Sequence, residues 1–171
     1  MGMNGTLAQW LNKLPDATYS QQLRGPLDPM ADRLSSQMLV TAGLVVKSAG
    51  GVLSKIGASA CYGAVKGGLF TIAASADMPA LSGTITQSAY NVYCYFQDGA
   101  GVRTSGMGTE SATLSAVKFP EFPTGKTLIG FVLVINTNAD FIGGTTAWNA
   151  TGVTAVHMSP TGPFDPSVLL T

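Results

Sequence analysis

Thr127-Leu128-Ile129-Gly130-Phe131-Val132-Leu133-Val134-Ile135 is the longest apolar run in the chain. From Leu128 to Ile135 half of the positions are β-branched, and Asn136-Thr137-Asn138 closes the run. That length and composition predict a strand buried on both faces. The run is too short to cross a membrane as a helix, and Gly130 together with the β-branched residues disfavours a helix of any kind. Just upstream, Pro120, Pro123 and Gly125 cannot sit in a central strand and force a turn.

Working outward, the chain from Met38 onward is built of short apolar runs separated by Gly, Ser, Asp and Asn. Candidate strands are Leu44–Val46, Val52–Leu53, Ser59–Val65, Leu69–Ala73, Thr84–Thr86, Tyr90–Gln97, Ala112–Val117 and Val153–Met158. Turn signals fall between them at Ala49-Gly50-Gly51, Gly67-Gly68, Asp77-Met78-Pro79, Asp98-Gly99-Ala100-Gly101 and Gly143-Gly144. Regular spacing of this kind predicts an all-β fold, a β-sandwich or barrel of short antiparallel strands.

The clearest alternation is Tyr90-Asn91-Val92-Tyr93-Cys94-Tyr95-Phe96-Gln97. Tyr90, Val92, Cys94 and Phe96 share one face, expected to be core, and Asn91, Tyr93, Tyr95 and Gln97 share the other. On a half-exposed sheet, Tyr93 and Tyr95 read either as cross-strand packing or, with Trp148, as a platform for a stacked ligand.

Residues 1–37 have a different texture, broken by Pro15, Pro26 and Pro29. The spacing of Leu7, Trp10, Leu11 and Leu14 places them on one face of a short helix capped by Thr6. Asp28-Pro29 is a cap and first-turn pair for a second helix running to about Gln37. Helices this short are marginal alone, so their apolar faces need a surface, either their own domain or a partner subunit. At the other end, residues 159–171 carry Pro160, Pro163 and Pro166 and finish on Val168-Leu169-Leu170, which predicts an extended tail with an apolar tip. The expected organisation is an anchoring arm over 1–37, a β-domain over 38–158 and a tail over 159–171.

Composition narrows the function classes. With 171 residues, one domain with appended arms is expected. Charged residues are 11% against about 25% in an average soluble domain, and the nine basic and nine acidic residues are scattered singly. No basic stripe exists to track phosphates, so neither nucleic acid nor an anionic membrane is an expected partner. A surface this poor in charge suits a protein that ends up against neighbours. Met1-Gly2-Met3-Asn4-Gly5 is not a positive region leading into an apolar core, so a secretory leader is not expected, and synthesis in a reducing cytoplasm is. Cys61 and Cys94 are expected to be small buried residues in preference to a bridge, and Asn4-Gly-Thr6 and Asn149-Ala-Thr151 chance matches to the glycosylation pattern.

The chemistry-bearing residues are few. His157 is the only histidine, placed on a candidate strand with no Gly-x-Ser-x-Gly elbow to serve, and it is expected to be structural. Cys61, Cys94 and His157 have no metal-ligand spacing. Asp77, Asp98 and Asp140 are isolated turn residues, and Gly99-Ala100-Gly101 and Gly106-Met107-Gly108 read as hairpin turns without the helix or Lys that phosphate binding requires. No catalytic residue, cofactor or metal is therefore assigned.

The segment Met107–Val117, then Phe119-Pro120-Glu121-Phe122-Pro123-Thr124-Gly125-Lys126, then Ile129-Gly130-Phe131-Val132, resembles a recurring module of tailed-bacteriophage virion structural proteins. Asp140–Thr146 and Gly152-Val153-Thr154 continue the likeness, which spans about residues 75–158. The resemblance implies a small jelly-roll-like β-sandwich that decorates or cements a capsid or forms a head fibre, with no active site to transfer. On that basis the expected partners are a major capsid protein and further copies of the chain, a trimer being the expected number, on the capsid surface of the virion. Leu7, Trp10, Leu11 and Leu14 are the expected capsid-binding residues. The alternative is a receptor- or glycan-binding module of a fibre or tail tip, using Tyr93, Tyr95 and Trp148.

Overall fold

The computed structural model describes residues 27–164. A helix over residues 27–35, α1, comes first, with Pro29 in its first turn, where a missing N–H leaves no helical bond unmade. The strands follow in order: β1 (Gln37–Met38), β2 (Val45–Val46), β3 (Ser54–Lys55), β4 (Cys61–Val65), β5 (Gly68–Ile72), β6 (Thr84–Ile85), β7 (Tyr90–Asp98), β8 (Arg103–Met107), β9 (Lys126–Asn136), β10 (Phe141–Ile142) and β11 (Val153–Met158). The described part is mostly β, in several antiparallel sheets.

The apolar run is β9, buried along nearly all of its length, at the heart of a four-stranded sheet ordered β11-β9-β7-β8. Both faces of that sheet are covered. On one face Ile129, Val132 and Val134 of β9 and Tyr93 and Tyr95 of β7 pack under Met38, Leu44, Ile56, Cys61, Ile85, Phe141 and Trp148. These come from the small sheets β1-β4-β5, β2-β3 and β10-β6 and the loops between them. On the other face Val92, Cys94, Phe96, Leu128, Phe131 and Leu133 pack under Val117, Phe119, Phe122 and Phe164.

Gly130 is a site of close approach to β9, from Leu44 above the sheet and from the neighbouring strand β11. A Cβ there would stand 2.5 Å from both Leu44 Cδ1 and the carbonyl oxygen of Met158. The β7–β9 register shifts at the same level, between Tyr95 and Phe96. Cys61 and Cys94 are buried and unbridged, Cys94 on the aromatic face and Cys61 on the other.

Three local expectations need correction. Ala112–Val117 is not a strand: a short 3-10 turn, Leu114–Ala116, occupies it. Past Met107 the chain pairs with β7 only through Gly108 and Ser111 and then passes over the aromatic face, where Val117 is buried. Gly106-Met107-Gly108 is not a hairpin turn, because Gly106 and Met107 complete β8. The true turn lies earlier, where Asp98 Oδ1 accepts the N–H groups of Ala100 and Val102, each at 2.9 Å. The arm boundary at residue 37 also moves: Gln37 pairs with Ala64 in β1, and α1 is bound to the β-domain. Among the described residues no helix is long and apolar enough to cross a membrane.

Candidate functional site: a groove lined by both ends of the described chain

Helix α1 is held by polar contacts at its C-terminal end and along one side. The Ser35 carbonyl accepts from Gly67 N–H at 2.9 Å, Ser36 Oγ accepts from Lys66 N–H at 2.9 Å, and Asp32 Oδ2 accepts from Gly125 N–H at 2.9 Å. Arg33 lies over Phe122, its guanidinium carbon 5.6 Å from the ring centroid, a cation–π arrangement. Between α1, the 121–126 turn and the 160–164 segment runs a groove of about 200 Å³.

Asp32, Arg33, Glu121 and Lys126, two charges of each sign, line it, with Phe122 and Phe164 providing the apolar floor. Lys126 Nζ is turned to Thr104 Oγ1 at 3.1 Å. Among the described residues the buried Asp32 Oδ1 has no hydrogen-bond partner. Mixed charge beside aromatic rings matches the polar rim and aromatic centre of a protein-binding surface better than a phosphate or metal site. Pro29, near the start of the described chain, and Phe164, at its end, line the same groove. The two ends of the described chain therefore lie beside one groove.

A second polar cluster lies inside. Tyr95 O–H donates to Ser54 Oγ at 3.1 Å, and Ser54 Oγ is 3.1 Å from His157 Nε2. Ser54 Oγ, with two lone pairs and one proton, accepts from Tyr95, and the imidazole tautomer sets which of Ser54 Oγ and Nε2 donates to the other. Burial pushes the His157 pKa below 6.5, favouring the neutral ring. His157 also packs edge-on against Trp148, ring centroids 5.3 Å apart. Ser54 and Tyr95 are both wholly buried. The Ser–His pair links β3 to β11 inside the domain, with the Ser54 hydroxyl wholly buried.

The ligand platform expected of Tyr93, Tyr95 and Trp148 is corrected by burial. Tyr93 and Tyr95 are 0% exposed and Trp148 4%, all in the larger core. The face of β7 taken as half-exposed is roofed by the small sheets, so no ring face is open to stack a sugar. Desolvation first, with the Glu110 charge and Tyr95 after it, pushes Tyr93 up to about 12, and desolvation does the same to Tyr95 against the pull of its bond to Ser54. The expected capsid-binding residues Leu7, Trp10, Leu11 and Leu14 lie outside the described residues.

Sequence reasoning missed the groove. Asp32 and Gly125 are 93 positions apart, and no local pattern announces their bond. Only the crowding of Phe119, Pro120, Phe122 and Pro123 hinted at a packed turn there. Among the described residues no three His, Cys, Asp or Glu side chains gather to hold a metal ion. Compared with protein-family models, curated proteins and solved structures, the chain matches none.

Proposed function

We propose that the chain is a structural protein of a tailed-phage virion, a jelly-roll-like sandwich that decorates or cements the capsid by binding across subunit seams. The observation that carries this reading is that both ends of the described chain line one mixed-charge groove, while the sequence beyond those ends carries the apolar residues Leu7, Trp10, Leu11, Leu14 and Val168-Leu169-Leu170. Apolar sequence joined to the chain at that end gives it an assembly role in this reading. Burying a few hundred Å² per arm contributes several kcal/mol, at about 25 cal/mol per Å², before ordering costs, and repeated copies in a shell act together.

The test is co-sedimentation with capsids that lack the protein. The full chain is expected to bind, and a chain lacking residues 1–26 is expected to stay in the supernatant with its circular dichroism and melting temperature unchanged. The deletion stops at 26 because α1 belongs to the domain. Undiminished binding by the shortened chain refutes the arm.

A further inference from the structure

Strand β11 forms one edge of the central sheet, and the direction of its hydrogen bonds can be read from its register. Thr137 N–H donates to Gly152 O at 2.9 Å, and the register pairs Thr154 with Ile135, Val156 with Leu133 and Met158 with Phe131. In an antiparallel ladder, bonded and non-bonded pairs alternate. Thr154, Val156 and Met158 therefore direct their backbone groups at β9, whereas Ala155 and His157 direct theirs outward. Among the described residues no hydrogen bond engages the N–H or C=O of Ala155 or His157. The side chains alternate too: Val153 and Ala155 pack on the larger core, while Val156 and Met158 are 37% and 38% exposed on the other side.

Edges of this kind are normally blunted by Lys, Pro, a bulge or a covering segment. The opposite edge, β8, is blunted in two ways: it carries Arg103, whose Nη1 donates to Asp77 O at 2.6 Å, and Ser105 Oγ donates to Ala80 O at 3.0 Å. β11 carries no charged residue. No Asp, Glu, Lys or Arg occurs between Asp140 and Asp165.

We infer that β11 is the dimerisation edge of this protein, pairing antiparallel with β11 of a second copy about a two-fold axis at Val156. The free groups call for a strand as the partner, and an antiparallel copy satisfies them. With the axis at Val156, Ala155 of each copy faces His157 of the other, and the outward N–H and C=O of both residues find partners. Val156 then meets Val156 across a non-hydrogen-bonded position, where side chains come closest, and Met158 lies opposite Thr154. The absence of charge lets identical edges meet without repulsion. Such a pairing is isologous and closes at two copies, in place of the trimer expected from the sequence. It stands independently of the capsid reading.

Sedimentation equilibrium of the full chain is expected to give a particle of twice the 17.6 kDa chain mass. Val156→Lys sets like charges directly opposite and is expected to give a monomer. Mixing it with Val156→Glu is expected to restore a dimer containing one of each, a rescue that a merely structural role for Val156 would not produce. Should the charged variants fail to fold, Val156→Cys serves instead: it is expected to crosslink to a covalent dimer on mild oxidation, while Thr154→Cys, which faces Met158, does not. A wild-type monomer at about 100 μM, a trimer, or a dimer untouched by Val156→Lys overturns the inference. So does equal crosslinking of the two cysteine variants. A monomer that dimerises only after removal of residues 1–26 or 165–171 overturns it as well, by showing that the chain covers its own edge.

Discussion

The two faces of the central sheet are covered by different means. Over Ile129, Val132 and Val134 the cover consists of small sheets that hold themselves together by backbone pairing, such as β4 with β5. Over Phe131 and Leu133 the cover is irregular, made by the segment running from Gly108 to Gly125 together with Phe164 from the C-terminal side. That segment is tied to the strands at its start, where Tyr90 and Ser111 exchange hydrogen bonds at 2.8 and 3.0 Å and Thr109 pairs with Lys118. Beyond Lys118 and before the Gly125–Asp32 bond it is held mainly by rings: Phe119 stands edge-on to Phe131 at 5.1 Å and Phe122 edge-on to Phe96 at 5.4 Å, with Phe164 from the C-terminal side 5.5 Å from Phe131. One face is roofed by backbone and the other by side chains, so truncating a ring should do more harm than shaving an aliphatic.

The largest expected effect tests that contrast directly. Phe131→Ala removes the ring on which Phe119 and Phe164 both rest, and it should cost about 3–5 kcal/mol of unfolding free energy in urea titration. Amide exchange should quicken selectively over residues 119–125, where the cover depends on rings. Ile129→Val, on the other face, should cost about 0.5–1.5 kcal/mol without a local change in exchange. Equal costs, or no selective loosening of 119–125, would remove the distinction.

Gly130→Ala comes next. The new methyl collides with Leu44 and with the Met158 carbonyl, one an adjustable side chain and the other fixed backbone of β11. An overpacking cost of about 1–3 kcal/mol is expected. Leu44→Ala should recover only part of it, because the carbonyl contact remains. Full recovery would mean that the side chain alone limits the approach. Tyr95→Phe, a smaller change, takes the donor from buried Ser54 and should cost about 1 kcal/mol.

The contrast between the faces also explains what the sequence made legible. β9 and the two faces of β7 could be read because apolar content and alternation are local, and both elements lie where local pattern and burial agree. The burial of Tyr93 and Tyr95 is not legible in the sequence, because alternation says which residues share a face, not whether that face is covered. The cover comes from Met38, Ile56 and Phe141, scattered along the chain. β8 was invisible for a related reason: Arg103-Thr104-Ser105-Gly106-Met107 has no strand composition and is extended because the Asp98 turn lays it against β7. The groove could not be read at all, since it is made by residues far apart in sequence.

The smallest expected effect is a pH dependence that separates the polar strut from the apolar packing around it. Burial holds the folded-state pKa of His157 below 6.5, so the unfolded chain binds a proton more readily than the folded one. The contribution of neutral His157 is therefore complete above pH 6.5 and declines as pH falls below that value, levelling off under the folded-state pKa. Melting temperatures of the wild type should drop between pH 7 and 5.5, before carboxylate protonation dominates. His157→Gln, which keeps a polar group near Ser54 but does not titrate, should hold nearly flat over that window. A parallel decline in both proteins would place the proton elsewhere, and would mean that the Ser54–His157 contact does not depend on a neutral ring.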